Sequence, residues 1–193
     1  MPTLPANPAP PTHPPGVQRV ADTLAALGHP HAPVMLSDAA RTAQQAADAL
    51  GVALGQIAKS IIFKRKNHPS GDDVAVLVIT SGDLRVDEKK VQAIVCAEGG
   101  KLGRADADFV KAKTGFSIGG VSPLAHATPP VTLIDAQLFR FGEIWAAAGH
   151  PHGVFRLSPT HLQTLTGAPV HDVTLTAAVN SAVNATAPDP TQP

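Results

Sequence analysis

The sequence predicts a single α+β domain with a mixed, mostly antiparallel central sheet flanked by helices. Three observations carry this expectation. Residues 57–64 and 74–80 are apolar runs rich in β-branched side chains, separated by a polar turn from Asn67 to Asp73. That pattern describes an antiparallel hairpin of buried strands. Segments with helical apolar spacing alternate with short apolar runs along the rest of the chain, so helices and strands are interspersed. Of the 193 residues, 44% are hydrophobic and only 16% charged, which suits one substantial core and not a disordered polyelectrolyte.

The elements follow in order. Residues 1–15 hold seven prolines and almost no large apolar side chain, the composition of a disordered or polyproline-like leader. Val17, Val20, Leu24 and Leu27 recur at helical spacing, and Gly28 stops that helix. Val34-Met35-Leu36 is a short strand. Thr42 and Gln45 form a capping-box pattern ahead of Ala46, Ala47 and Leu50, and Gly51 closes the helix. After the hairpin, Asp87 caps a helix carrying Val91, Ile94 and Val95, and Asp106 caps another that ends at Gly115. Val131–Ile134, Glu143–Ala147 and Val154–Leu157 are strands. Ser158-Pro159 opens a last helix with Leu162 and Leu165, closed by Gly167. Residues 176–193 mix Ala, Asn, Thr, Pro and Asp, a loose tail, so the folded body spans 16–175.

The totals narrow the function. The formal net charge is zero, unlike a general nucleic-acid coat protein. A local basic bias survives: between Lys59 and Lys113 lie 11 of the 15 Lys and Arg, against 8 acidic residues. A solvated surface would look similar. Cys96 is the single cysteine, so no disulfide framework or Cys-rich zinc site forms within the chain. It falls at an apolar helical phase, as a small core residue would. No run of 18 apolar residues indicates a membrane span, and the N-terminus lacks a signal-peptide pattern. The expected location is the cytoplasm.

Two features carry chemistry. In Gly119-Gly120-Val121-Ser122-Pro123, adjacent glycines permit unusual backbone angles and close approach to a ligand, and Pro123 stiffens the exit. Such a loop can aim N–H groups at a phosphate or a developing oxyanion; an ordinary Gly-Pro turn would read the same. Lys59 is the only charge in the apolar run 57–63. It either snorkels to solvent or projects a fixed cation into a pocket. Gly149-His150-Pro151-His152-Gly153, with His161 further on, offers imidazoles, but His-Pro-His is not an established ligand spacing.

The order of these pieces resembles the YbaK/prolyl-tRNA synthetase editing-domain family. The matching stretches are Ala58-Lys59-Ser60-Ile61-Ile62-Phe63-Lys64, the run from Gly82 to Lys90, the run from Thr114 to Pro123, Ile134-Asp135, and Ala148-Gly149-His150. The similarity covers residues 17–173. The resemblance implies a free-standing hydrolase that acts in trans on mischarged tRNA, mostly tRNA for proline. Its partners are then a tRNA acceptor end bearing an aminoacyl group and, as a candidate, prolyl-tRNA synthetase. It further implies Lys59, Gly119 and Gly120 as catalytic residues, without a cofactor. Around the substrate it implies Ser60, Ser81, Gly82, Asp83, Val121, Ser122, Pro123, Asp135, Gly149 and His150. Some members that remove alanine carry Lys-Asn where this chain has Lys59-Ser60, which leaves the amino acid open.

The chemistry fits these residue types independently. An aminoacyl ester is already activated, so catalysis needs an oriented water and a stabilised oxyanion more than a strong nucleophile. Glycine N–H groups and the Lys59 ammonium can supply that stabilisation, and the ribose 2′-hydroxyl can help hold the water. Two alternatives stay open: a non-catalytic tRNA-end or nucleotide-binding module, and a metal-dependent hydrolase using His150, His152 and His161. Chelator treatment separates the last. Deacylation is expected to persist in chelator, and activity abolished by chelation and restored by zinc would make His150 and His152 ligands.

Overall fold

The computed structural model describes residues 13–37, 42–66 and 71–175. Most of the leader, the centre of the hairpin turn and the tail from 176 lie outside the described residues. The expected helices form as α1 (Pro15–Ala26), α2 (Ala43–Leu50), α3 (Glu88–Val95), α4 (Ala107–Thr114) and α5 (Pro159–Thr166). The strands are β1 (Val34–Met35), β2 (Ile57–Lys66), β3 (Val74–Ser81), β4 (Lys101–Arg104), β5 (Val131–Asp135), β6 (Ile144–Ala147), β7 (Gly153–Leu157) and β8 (Val170–His171).

Helix ends fall where side chains can satisfy otherwise unpaired backbone groups. Thr42 Oγ1 accepts from Gln45 N at 3.2 Å, and Gln45 Oε1 accepts from Thr42 N at 3.0 Å, completing the capping box of α2. Asp87, Asp106 and Ser158 cap α3, α4 and α5 in the same way. Gly51, Gly115 and Gly167 end α2, α4 and α5 in the left-handed conformation. Leu27 departs from its expected place on the apolar face of α1. The helix ends one residue earlier, and Leu27 stands 52% exposed.

The sheet runs in the order β1-β7-β6-β2-β3-β5-β8, with β4 paired to β2 off that path. The hairpin β2–β3 is antiparallel, from Ala58 opposite Ser81 to Arg65 opposite Val74. Pairs β1–β7, β2–β4 and β6–β7 are also antiparallel, while β2–β6, β3–β5 and β5–β8 are parallel. The sheet is therefore mixed and mostly antiparallel, as expected. Period-2 alternation in β3 separates two cores. Leu77 and Ile79 face α1, α4 and α5 with Phe116 and Phe155; Val76 and Val78 face α3 with Phe63 and Leu133.

The feature that shapes the site is the second edge of β2. One edge pairs with β3 along residues 58–65. The other is shared between two strands: β6 takes Ile57 and Ala58, and β4 takes Phe63 to Lys66. Residues 59–62 pair with no strand there. Successive residues of an antiparallel strand direct their backbone groups alternately to its two edges. Two of these four residues therefore turn both N–H and C=O into the gap.

The entry of α1 is pressed against the turn after β6. Gly149 has φ +86°, and a Cβ there would run into the backbone of Gly16 and, at 2.8 Å, the Phe116 ring. Gly149→Ala thus combines left-handed strain with a clash against main chain, and neither neighbour is a flexible tip. A thermal melt is expected to fall by several degrees, equivalent to about 1–3 kcal/mol. An unchanged melt would show that α1 shifts without penalty.

Candidate active site

A cavity of about 160 Å³ lies where β6 parts from β2. Ala58, Lys59 and Ser60 of β2 form one side, Trp145 and Ala147 of β6 another. Thr42, Ala43 and Ala46 at the start of α2, Ile57 of β2, Val154 of β7, Gly119, Val121 and Pro151 complete the wall. Apart from Lys59, Ser60, Thr42 and the indole of Trp145, the lining is aliphatic, and four of its residues, Ala43, Ala46, Ala58 and Ala147, are alanines. The space suits a compact group and not an aromatic or long side chain.

Lys59 neither snorkels freely nor pairs with a carboxylate. Its Nζ donates to Leu84 O at 2.9 Å and to Gly82 O at 3.3 Å. Burial lowers its pKa from the usual lysine value; Asp83 opposes that shift and Arg85 reinforces it. The carbonyls that receive Nζ belong to the turn after β3, and that turn is itself braced. Asp83 meets Arg140 at 2.9 Å, Arg140 also donates to Ser81 Oγ at 2.9 Å, and Ser81 donates to Gly55 O. Burial of Asp83 raises its pKa, but hydrogen bonds from Arg140 and Ser81 outweigh this and leave it below the usual value. Ser81, Gly82 and Asp83, expected at the substrate, stand behind Lys59 instead.

The glycine loop reaches the cavity through Gly119 and Val121. Gly119 has φ +87°, a conformation that suits glycine. Gly120 is buried against the next loop: a Cβ would come within 2.6 Å of His150 C and 2.8 Å of Pro151 N. Its N–H donates to Ser117 O at 3.0 Å. Of the two glycine donors expected from sequence, only that of Gly119 stays outside the loop's backbone hydrogen bonds among the described residues. Ser122 is fully buried: its Oγ accepts from Leu124 N at 3.3 Å, and its carbonyl accepts from His126 Nε2 at 2.7 Å. Pro123 is buried beside it and lies outside the cavity wall. The loop's root is fixed by Thr114, whose hydroxyl donates to Val110 O at 2.7 Å and accepts from Phe116 N at 3.0 Å. Arg19 covers the Phe116 ring at 4.2 Å.

The remaining expected residues are not brought to the cavity. Asp135 is wholly buried and accepts from Thr80 and Thr174 hydroxyls, each at 3.4 Å. Burial raises its pKa, with backbone hydrogen bonds from Gln137 and Val173 opposing, so it ties β3 and β5 to the segment after β8. Gly149 packs on Gly16. His150 accepts from His152 N through Nδ1 at 3.1 Å and backs Gly120. His161 does not join His150 and His152; it meets His29, Nδ1 to Nδ1 at 3.3 Å. Sequence reasoning missed Thr42, Trp145 and Pro151 in the wall and Arg140 in the brace. Trp145 alone carried a signal, as the only tryptophan in the chain.

Fold and cavity together define an α+β domain with a small, mostly aliphatic cleft at the forked edge of its sheet. The model of the aminoacyl-tRNA editing domain matches residues 37–165, and the chain belongs to that family. It is 35% identical over 121 residues to the uncharacterized protein YwhH of Bacillus subtilis (strain 168), covering 63% of this chain and 72% of that one. Among solved structures, it is similar to a protein described as a "putative trans-editing enzyme for prolyl tRNA synthetase". That match has 38% identity and a TM-score of 0.76, over 85% of this chain and 99% of the other. It is also similar to the hypothetical protein APE2540, with 27% identity and a TM-score of 0.71, over 81% of this chain and 99% of the other. Among the described residues no helix is long and apolar enough to cross a membrane.

Proposed function

We propose that the protein is a cytoplasmic, trans-acting deacylase that hydrolyses the ester of tRNA mischarged with a small amino acid. Its carrier would be tRNA for proline, which makes prolyl-tRNA synthetase a candidate partner. One observation carries this reading: Lys59 and the Gly119 loop, on distant parts of the sequence, line the same 160 Å³ cavity. Membership of the editing-domain family and the likeness to the trans-editing protein support it.

In this reading the aminoacyl group enters the fork and the ester carbonyl lies between Lys59 and Gly119. Water adds to the carbonyl carbon, and the oxygen takes on negative charge. The Lys59 ammonium and the Gly119 N–H stabilise that charge in place, with no rearrangement at the moment of reaction. The bond to the ribose oxygen then breaks, the ribose oxygen takes a proton, and free amino acid and uncharged tRNA leave. The 2′-hydroxyl of the terminal ribose helps position the water. Cavity size excludes large residues, the logic of a second sieve.

The test is a deacylation panel of misacylated and correctly charged tRNAs with purified protein. Release of at least one small amino acid above the uncatalysed rate, with the correct ester spared, is expected. Binding of tRNA ends without turnover would instead identify a binding module. Lys59→Ala is expected to lower the single-turnover rate by about 10²–10³-fold. Its stability cost should stay near 1 kcal/mol, because the freed Gly82 and Leu84 carbonyls are only half-buried. Lys59→Arg should not restore the rate fully, since a planar fork does not replace a compact ammonium. Wild-type turnover in Lys59→Ala would remove this residue from the chemistry, and a collapsed melt would make it structural.

A further inference from the structure

The segment 115–126 that carries the glycine loop is closed at its neck. Ala127 N donates to Thr114 O at 3.0 Å and Thr128 N donates to Lys113 O at 2.9 Å, so the chain leaves α4 and returns beside its last turn. Inside the neck Ala125 stands at φ +62°, the only non-glycine residue with a positive φ among the described residues. An alanine in that region costs free energy and persists only where its surroundings hold it there. Next to it is His126, whose Nε2 donates to Ser122 O at 2.7 Å. That carbonyl is the one polar group of its peptide unit, because Pro123 has no N–H. Ser122 is fully buried, and among the described residues no backbone N–H outside the regular elements reaches its oxygen. A buried acceptor of this kind depends on the side chain that serves it.

We propose that His126 is a positioning residue for deacylation: it fixes the Ser122–Pro123 peptide and, through it, the placement of the Gly119 N–H at the cavity. This rests on the deacylase reading, in which that N–H meets the developing negative charge. The loop reaches the cavity through Gly119 and Val121. Val121 lies between two anchors, and Gly119 is one residue from the first. The first anchor is Gly120, whose N–H donates to Ser117 O at 3.0 Å and which packs on the backbone of His150. The second is Ser122, with Oγ taken by Leu124 N and the carbonyl by His126. His126 itself lies outside the cavity wall, half-buried, with its ring edge-on to Phe116 at 6.0 Å between centroids. Burial lowers its pKa from the usual histidine value; the bond to Ser122 O opposes that shift and the charge of Arg19 reinforces it. The neutral ring carries its hydrogen on Nε2, since a carbonyl can only accept. The left-handed turn at Ala125 sits between Ser122 and His126, where the chain must fold back for the imidazole to meet that oxygen. A preorganised donor acts only at the right distance, so a loop freed at Ser122 loses rate although every group that touches substrate remains.

The experiment measures single-turnover deacylation of alanyl and seryl esters of tRNA for proline over a range of protein concentrations, with a thermal melt of each variant. His126→Phe keeps a ring against Phe116 and removes the donor. It is expected to lower the maximal rate by about 10–10²-fold and to leave the half-saturating concentration within about twofold. His126→Gln places an amide N–H near the position of Nε2 and is expected to recover the rate to within about threefold of wild type. His126→Asn, too short to reach Ser122 O, is expected to behave like His126→Phe, and it replaces that variant in the comparison if the phenylalanine does not fold. Wild-type rates in His126→Phe or His126→Asn, a change confined to half-saturation, or an equal loss in His126→Gln overturns the inference while leaving deacylation intact. Absence of turnover on every ester by the wild-type protein overturns the deacylase reading instead. The Gly119 amide resonance in NMR then decides the positioning role: displaced in His126→Phe and restored in His126→Gln it supports the role, and unmoved it overturns it.

Discussion

The site depends on one strand having to serve two neighbours along a single edge. β2 is ten residues long, while β6 and β4 are four each and approach it from different parts of the chain. β6 runs parallel to β2 for two residues and then turns through Gly149 to Gly153 into β7, so it cannot follow β2 further. β4 arrives from the far end, directed by the helix that ends near Cys96. The interval between them holds backbone groups that need partners. The glycine loop closes over part of it, and the rest is the cavity. A sheet with a continuous partner on both edges of β2 would have no cleft here.

Charge in that interval is managed with comparable economy of parts. A lysine buried beside a carboxylate would be neutralised, with little field left for a ligand. Lys59 is instead held by two carbonyl oxygens, which orient the ammonium without cancelling its charge. The nearest acid, Asp83, is engaged by Arg140. The Arg140–Asp83 pair is partly exposed and adds little to stability by itself. Its effect is geometric: with the Ser81 hydroxyl it fixes the turn whose carbonyls aim Lys59.

Much of the framework was legible because it rests on local rules. Thr42 with Gln45, Asp87, Asp106 and Ser158 are caps that act within one turn, and the hairpin 57–64/74–80 follows from alternation and a polar turn. β4 and β8 were not legible. Lys101-Leu102-Gly103-Arg104 is polar and contains a glycine, and Val170-His171 is two residues long; both are strands only because an existing edge recruits them. At the site, Lys59 and the glycine loop stood out as a charge in an apolar run and a strained turn. Ser81, Asp83 and Asp135 lie outside the cavity wall and brace the turn after β3 and the sheet, a placement not legible because sequence does not say which way a polar side chain at a strand end points. Trp145 and Thr42 were missed because they come to the cavity through pairing and helix docking across long separations.

The contact between Gly16 and Gly149 ties the first helix to the surroundings of the cavity. Gly149 precedes His150, whose backbone is the surface on which Gly120 lies, so the loop rests on a turn that rests on α1. Such a chain of main-chain contacts has little slack. Local opening of α1 would release the turn and loosen the support under the glycine loop. In hydrogen exchange, the amides of α1 and of residues 119–121 would then report one cooperative unit, and the integrity of the cleft would track the free energy with which the N-terminal helix docks.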